Sequence, residues 1–386
     1  MSQTRILIAG AGIGGLSAAA ALRRSGFAVT LFERAPEMLA VGAGLSLQPN
    51  TVAALRTIGL AEPVIAAGHR SGRVQIRQPN GKVMTEMDVG AFWREEAGVT
   101  LHRATLQRLL AAQVSPADLI LGAEAAGFEE LPHGVRLRLA DGRHFEGDLL
   151  IGVDGIRSAV RRQLLSDGDP LYAGYYCWRG ICAQPAGAPL SALSETWGRG
   201  QRVGLVPIDG DRIYWFAVLN GPPGGRDQPG QLHARLLDLF AGWHPPIAEV
   251  IAATPETAIL RGDIFYRRPS PTWGHGRVTL LGDAAHPMTP DLGQGACQAI
   301  EDAVVLAACL EDAEDPAAGL RRYESLRQPR TADIVEKAAR MGGIAQWQNP
   351  LLCGLRDFLN RSVPQRQLER QVSQLWRFPG PAPRPR

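Results

Sequence analysis

Six consecutive residues, Gly10-Ala11-Gly12-Ile13-Gly14-Gly15, fit G-x-G-x-x-G between the apolar run "RILIAG" and the alanine-rich "GGLSAAAALRRSG". In a strand–turn–helix, Gly10 permits the tight turn, Gly12 lets backbone approach a pyrophosphate, and Gly15 lets helix and strand close up. The helix N-terminus would face phosphate with unpaired N–H groups. Glu33 ends the next apolar run, "FAVTLFE", about 20 residues on, where an acid accepts hydrogen bonds from ribose hydroxyls. Gly14 and Arg34 belong to the same end of the site. The chemistry implied is capture of a dinucleotide, and a glutamate at position 33 suits an unphosphorylated adenosine ribose, as in FAD or NAD.

Two further acids follow apolar runs: Asp154 in "GVDGIRSAVR" and Asp283 in "RVTLLGDAAHPMTPDLGQG". Either alone reads as an ordinary helix N-cap. After Asp283 comes a loop with Pro287, Pro290, Gly293 and Gly295, then the apolar helix pattern "ACQAIEDAVVLAACL". A carboxylate thus stands beside a helix N-terminus stripped of side chains. His286 in this loop has no nucleophile or carboxylate partner evident in sequence and reads as a packing residue.

The elements that must position these groups follow from periodicity. "RILIAG", the alanine-rich helix and "FAVTLFE" form a β-α-β unit of about 30 residues. Hairpins are expected at Asn80-Gly81 and Asp141-Gly142, helices at "PNTVAALRTIG" and "RATLQRLLAAQV", and a buried strand at "DLLIGVDG". From Tyr172 to Phe265 aromatic, strand-like segments dominate ("YAGYYCWRGICA", "RVGLVPI", "RIYWFAVL"), with helix near "QLHARLLDLFAGW". A last amphipathic helix begins near Ala317. Expected boundaries are a nucleotide domain at 1–70, 98–171 and 266–316, and a substrate domain at 172–265 joined by a hairpin at 71–97. A helical segment, 317–370, and a flexible tail, 371–386, complete the chain. No internal repeat of solenoid period is present.

The 386 residues exceed what one compact core usually holds. Hydrophobic content of 45%, charged content of 20% and a net charge of +3, without basic or acidic tracts, describe an ordinary globular enzyme and argue against nucleic acid as a partner. No stretch reaches the ~20 apolar residues of a membrane span, so no membrane partner is expected either. Five cysteines without a C-x-x-C exclude a zinc ribbon, leave no metal expected, and suit a reducing cytoplasm.

Taken together, the fingerprint, Asp154-Gly155 and Gly282-Asp283 resemble the ordered motifs of the class A FAD-dependent aromatic monooxygenases, the family of para-hydroxybenzoate hydroxylase. The resemblance covers nearly the whole chain. It implies an α/β fold: a Rossmann-like FAD-binding domain (GR2-type), an inserted mostly antiparallel substrate sheet, and a C-terminal helix. It implies FAD as cofactor, NADH or NADPH as cosubstrate docking transiently, and hydroxylation of an electron-rich aromatic or heteroaromatic ring by O2 through a flavin C4a-hydroperoxide. The adenosine end would lie at Gly10 to Gly15, Glu33 and Arg34. Arg103, opening "RATLQRLL", would contact the diphosphate or ribityl region, with Asp154 and Asp283 further along the cofactor. Pro290, Gly293, Gln294, Gly295 and Ala296 would press on the ring. The aromatic segment would wall a dry cavity with Tyr175, Trp178, Tyr214, Trp215 and Phe216, about half of which must instead pack a core by alternation.

Within the family the chain is similar in texture to FAD-dependent urate hydroxylase, and more distantly to zeaxanthin epoxidase. That likeness places Arg202, Tyr214 and Asp291 at the substrate, although "YCWRG" departs from the urate enzyme. Urate hydroxylation and epoxidation of an unsaturated substrate therefore stay open as alternatives. A flavin halogenase would need Trp-x-Trp-x-x-Ile, and none of the eight tryptophans is so spaced. A non-catalytic nucleotide-binding protein would not need Asp283 and the Pro/Gly loop. Monomer and homodimer are equally compatible.

Overall fold

Four apolar runs lie side by side and in parallel: Leu119–Ile120, Ala28–Phe32, Arg5–Ala9 and Leu149–Gly152, with Val278–Leu280 parallel beyond them and Gly274–His275 antiparallel at the edge. This is a computed structural model that describes residues 3–38, 43–70, 72–89, 98–185, 190 and 192–380. Ile6 registers with Leu149 on one side and Val29 on the other. Because the strands are parallel, their C-terminal ends share one edge, and Gly10, Glu33, Asp154 and Asp283 all follow those ends. In open α/β sheets this edge is where ligands bind.

The fingerprint helix, Ile13–Arg24, is buried from Ile13 through Leu22 and packs on helix Gly295–Glu311, itself almost wholly buried. Both are largely apolar around their circumference because each is covered on every side, the exceptions in the second being Gln298, Glu301 and Asp302. They stand in one continuous core with the parallel strands.

A second, seven-stranded sheet has the order Leu260–Tyr266, Leu171–Ala183, Arg212–Asn220, Gln201–Ile208, Leu193–Trp197, Arg73–Arg77, Val83–Asp88. All its pairs are antiparallel except Leu193–Trp197 with Arg73–Arg77. The Asn80-Gly81 hairpin thus adds two strands to the aromatic sheet. Alternation splits the aromatic residues between faces. Trp178 and Trp215 are fully buried with Val203, Leu205 and Ile213 under helices Leu232–Leu239 and Ile247–Ala253. Tyr175, Phe216 and Val218 pack on the other face, toward the nucleotide domain. Trp178 and Trp215 are therefore core residues and do not wall a cavity.

Among the described residues the C-terminal part contains three helices rather than one: Pro316–Ala345, Pro350–Ser362 and Gln365–Trp376. Positions 371–376, expected as tail, are the end of the third, and Trp376 is buried against Met87 and Val89. Residues 381–386 lie outside the described residues.

Candidate active site

The fingerprint turn has the geometry its residue types demand. Gly10 sits at φ +107°, and a Cβ there would lie 2.4 Å from the Val153 carbonyl oxygen. A Cβ on Gly15 would lie 1.9 Å from the Gly10 carbonyl oxygen, so helix and strand touch backbone to backbone. At Gly12, by contrast, a Cβ meets nothing within 4 Å. The second glycine thus opens onto free space at a helix end that carries no side-chain cap and no acid in its first turn. Glu33 accepts from the Ala11 and Ala35 amides at 2.9 and 3.0 Å, tying the end of the second strand to the turn. Arg34 beside it is exposed.

Asp154 spends Oδ2 on the Ala159 and Val160 amides at 2.7 and 3.4 Å. Oδ1 is buried with no hydrogen-bond partner among the described residues. Burial raises its carboxyl, opposed by Ser158 and the Ala159 amide. Asp283 keeps solvent exposure although protein crowds it from all sides, as on the floor of a cleft. That crowding raises its carboxyl, and the charges of His286 and Arg103 pull it back. Arg103 opens helix Arg103–Ala111 and so brings its charge to Asp283. A Cβ on Gly295 would lie 4.0 Å from Asp283 Oδ1, so carboxylate and helix start are neighbours. Gly293, at φ +62°, turns the chain into that helix, which has no side-chain cap.

Gln294 does not reach outward. Its side chain is buried, accepting from Asn50 and Gln298 at 3.1 and 2.7 Å and donating to Gln48. Ala296 packs on the core. Gln294 can offer a ligand only its backbone. Pro290 and Asp291 form the turn Pro290–Leu292 before Gly293.

His286 has the carboxylate partner that sequence did not reveal. Its Nε2 lies 2.5 Å from Asp302 Oδ2, in a buried pair, while its ring packs 5.3 Å from that of Trp273. Asp302 Oδ1 accepts from Arg327 at 2.6 Å, and Arg327 and Arg330 also hold Glu301. Burial alone would raise Asp302, but His286 and Arg327 bring it down to about 2. The pair "ED" inside an otherwise apolar helix was the available sequence signal. Arg161, only 1% exposed, donates to the Ala284 and Ala285 carbonyls at 2.9 and 2.7 Å and pins the Asp283 turn from behind; nothing in "RSAVRR" distinguishes it.

On the substrate sheet, Arg202 and Tyr214 do share the face turned to the nucleotide domain, since Arg202 pairs with Val218 and Tyr214 with Val206. Arg202 is nevertheless not a free cation. It is 3% exposed and bonded to Glu195 at 2.8 Å, Asp291 at 2.6 Å and Gln346 at 2.8 Å. Asp291 takes the Tyr175 hydroxyl at 2.5 Å on its other oxygen. Tyr214 sits against Gly44, where a Cβ would lie 2.5 Å from it. Burial keeps its phenol protonated well above the usual range. The cation that sequence reading passed over is Arg179, on the same face two residues from Cys177 and paired in register with Phe216. It is half-buried, its titratable neighbours are the Cys177 thiol and the Tyr214 phenol, both held protonated by burial, and no carboxylate pairs with it among the described residues. Period-two counting from Tyr175 would have placed it there. A cavity of about 150 Å³ beside it is lined by Ala43, His102, Ile181, Ala258 and Leu260. A larger one, about 530 Å³, lies around Arg5 and Ala28 at the opposite end of the strands and touches none of these groups.

These features fit a bound FAD. Gly12 offers open space, Asp154 an unsatisfied buried acceptor, and Asp283 an exposed carboxylate beside an uncapped helix. Fold and site define a dinucleotide-dependent flavoprotein with a separate substrate sheet. Comparison with known proteins agrees. The FAD binding domain family matches residues 3–338. The chain is 49% identical over 361 residues to aurachin C monooxygenase/isomerase of Stigmatella aurantiaca, covering 93% of this chain and 94% of that one. It is 38% identical to 3-amino-4-hydroxybenzoate 2-monooxygenase of Streptomyces cremeus, over 87% and 86%. Klebsiella pneumoniae HpxO in complex with FAD and uric acid superposes with a TM-score of 0.90 at 33% identity, over 96% of each chain. The chain belongs to the class A FAD-dependent monooxygenases, enzymes that draw electrons from NAD(P)H and hydroxylate aromatic rings.

Proposed function

We propose that this enzyme hydroxylates an electron-rich aromatic or heteroaromatic ring bearing an acidic hydroxyl or enolised carbonyl, and that Arg179, not Arg202, is the cation that receives it. The carrying observation is charge balance: Arg202 stands between two carboxylates, whereas Arg179 has none among the described residues. A half-buried guanidinium without an acid is costly unless a ligand completes it. The neutral Tyr214 phenol beside it donates a hydrogen bond, so the two fix orientation and favour the substrate's anion. That raises electron density at the carbon to be hydroxylated. The relatives named for aurachin C, for an aminohydroxybenzoate and, in its complex, for uric acid all fit such a ring.

FAD would be held by Gly10 to Gly15 and Glu33 at its adenosine end and by Arg103, Asp154 and Asp283 along its length, and when bound it supplies the redox chemistry with NAD(P)H and O2. The protein's part is positioning and dryness. Asp291 holds the Pro290–Leu292 turn to the sheet through Arg202 and Tyr175. Tyr175, Cys177, Phe216 and Val218 exclude water beside it, which keeps oxygen from leaving as peroxide. Five buried, unpaired cysteines support a reducing, cytoplasmic location. No helix among the described residues is long and apolar enough to cross a membrane.

The test is a screen of hydroxyquinolines, quinolones, aminohydroxybenzoates and uric acid for stimulated NADH or NADPH oxidation, with product and peroxide measured in parallel. A hydroxylated product only from neutral rings without an ionisable group would refute the reading.

A further inference from the structure

Helix Pro350–Ser362 is turned inside out. At about 100° per residue, Cys353, Arg356, Asp357 and Asn360 fall on one side, and that side faces the protein. Arg356 is buried, donates to the Ala345 and Gly198 carbonyls at 3.0 and 3.1 Å, and lies over the Trp197 ring. Asp357 accepts from Gln78 at 3.0 Å, and the Asn360 carbonyl from Thr85 at 2.9 Å. Leu351, Leu352, Leu355, Phe358 and Leu359 fall in an arc of roughly 120° on the opposite side, and stand 84%, 43%, 49%, 60% and 52% exposed. A surface helix normally shows the reverse arrangement. The polar contacts lock the inward face, so the apolar face is held outward.

Charge is concentrated at the same place. From Pro350 to Arg386 there are seven arginines against Asp357 and Glu369, a net of +5. The remainder has 34 Lys/Arg and 36 Asp/Glu, a net of −2. Arg361, Arg366, Arg370 and Arg377 are all exposed, and none is paired with a carboxylate among the described residues. An apolar stripe flanked by arginine is the chemistry that recognises an anionic bilayer: leucine and phenylalanine enter the acyl boundary while guanidinium groups meet headgroups. A two-fold dimer through this helix would instead press two +5 segments together.

We propose that helix Pro350–Ser362, with the arginines that follow it, docks this enzyme on anionic lipid surfaces. The attachment is peripheral and salt-sensitive. The test uses the FAD-loaded full chain in sedimentation with phosphatidylcholine vesicles, with and without phosphatidylglycerol. The wild type should pellet with the phosphatidylglycerol vesicles at low salt and be released at high salt. Leu355→Glu with Phe358→Glu should lower partitioning more than about tenfold, and Arg361→Ala with Arg366→Ala about fivefold per arginine removed. Both variants should keep their flavin content and turnover of a water-soluble substrate. Wild type left in the supernatant with phosphatidylglycerol vesicles would overturn the proposal. So would a vesicle-free dimer that Leu355→Glu with Phe358→Glu dissolves, because the face would then be an interface between two copies.

Discussion

Arg202 and Asp291 meet at 2.6 Å where the substrate sheet touches the Pro290–Leu292 turn, with side chains 3% and 0% exposed. Glu195 closes the cluster from the other side at 2.8 Å. Removing the arginine leaves two carboxylates buried together. Arg202→Ala should therefore cost about 3–5 kcal/mol of unfolding free energy. Arg202→Lys should recover only part, since an ammonium cannot bridge the carboxylates in one planar fork. Denaturant titration checks this, and a loss under about 0.5 kcal/mol would show that the cluster does not anchor the turn. Product formed per NAD(P)H consumed should fall in parallel.

Arg179 makes the opposite prediction. With no acid to strand among the described residues, Arg179→Ala should fold normally, keep FAD and still oxidise NAD(P)H. Its KM for an anionic ring should rise by about tenfold to a hundredfold, the worth of a hydrogen bond to a charged group. Oxygen should shift from product to peroxide. Tyr214→Phe should do the same more weakly, by about 0.5–1.5 kcal/mol. If Arg179→Ala matches wild type in KM and in product ratio, the substrate lies against another part of the sheet.

Sequence made the nucleotide end legible because its signals are local. Gly10, Gly12 and Gly15 are read by spacing, and Glu33, Asp154 and Asp283 by their place after apolar runs. The parallel sheet then brings them to one edge without further information. The substrate end was less legible because its chemistry depends on pairing across strands. Arg202 looked like a free cation until Glu195, seven residues away in sequence, and Asp291, 89 residues away, were seen to neutralise it. His286 looked partnerless because Asp302 lies 16 residues on, beyond the loop and about two turns into helix Gly295–Glu311, facing back. The outward leucines of Pro350–Ser362 could not be recognised as outward until Arg356 was seen to point in.

Two glycines in one motif should fail differently. A side chain at Gly12 enters open space, so Gly12→Val should fold with little change in Tm yet purify colourless and resist added FAD. A side chain at Gly15 collides with the Gly10 carbonyl at 1.9 Å. Gly15→Val should lose stability by more than about 3 kcal/mol, as overpacking against backbone does. Equal stability in the two variants would contradict the backbone contact. A yellow Gly12→Val would show that the cofactor's phosphates lie elsewhere.

Acid lability should centre on Asp302. Its carboxyl is held at about 2, below the unfolded value of 3.8, by His286 and Arg327, which outweigh the burial that would raise it. A depressed folded pKa means that the stabilisation is complete above the unfolded value and is lost as pH falls through the folded one. The window is thus roughly pH 4 down to 2, and the amount on the order of 2 kcal/mol. Asp154 and Asp283 act in the other direction. Their carboxyls are raised by burial and crowding, so the gain from their protonation comes above pH 4, before that window opens, and offsets the loss only in the total from neutral pH. The informative quantity is therefore the difference between wild type and Asp302→Asn across that window. Asn cannot titrate, and although the variant starts less stable, its unfolding free energy should fall less steeply below pH 4. Parallel slopes in wild type and variant would mean that Asp302 does not hold its proton affinity down through His286 and Arg327.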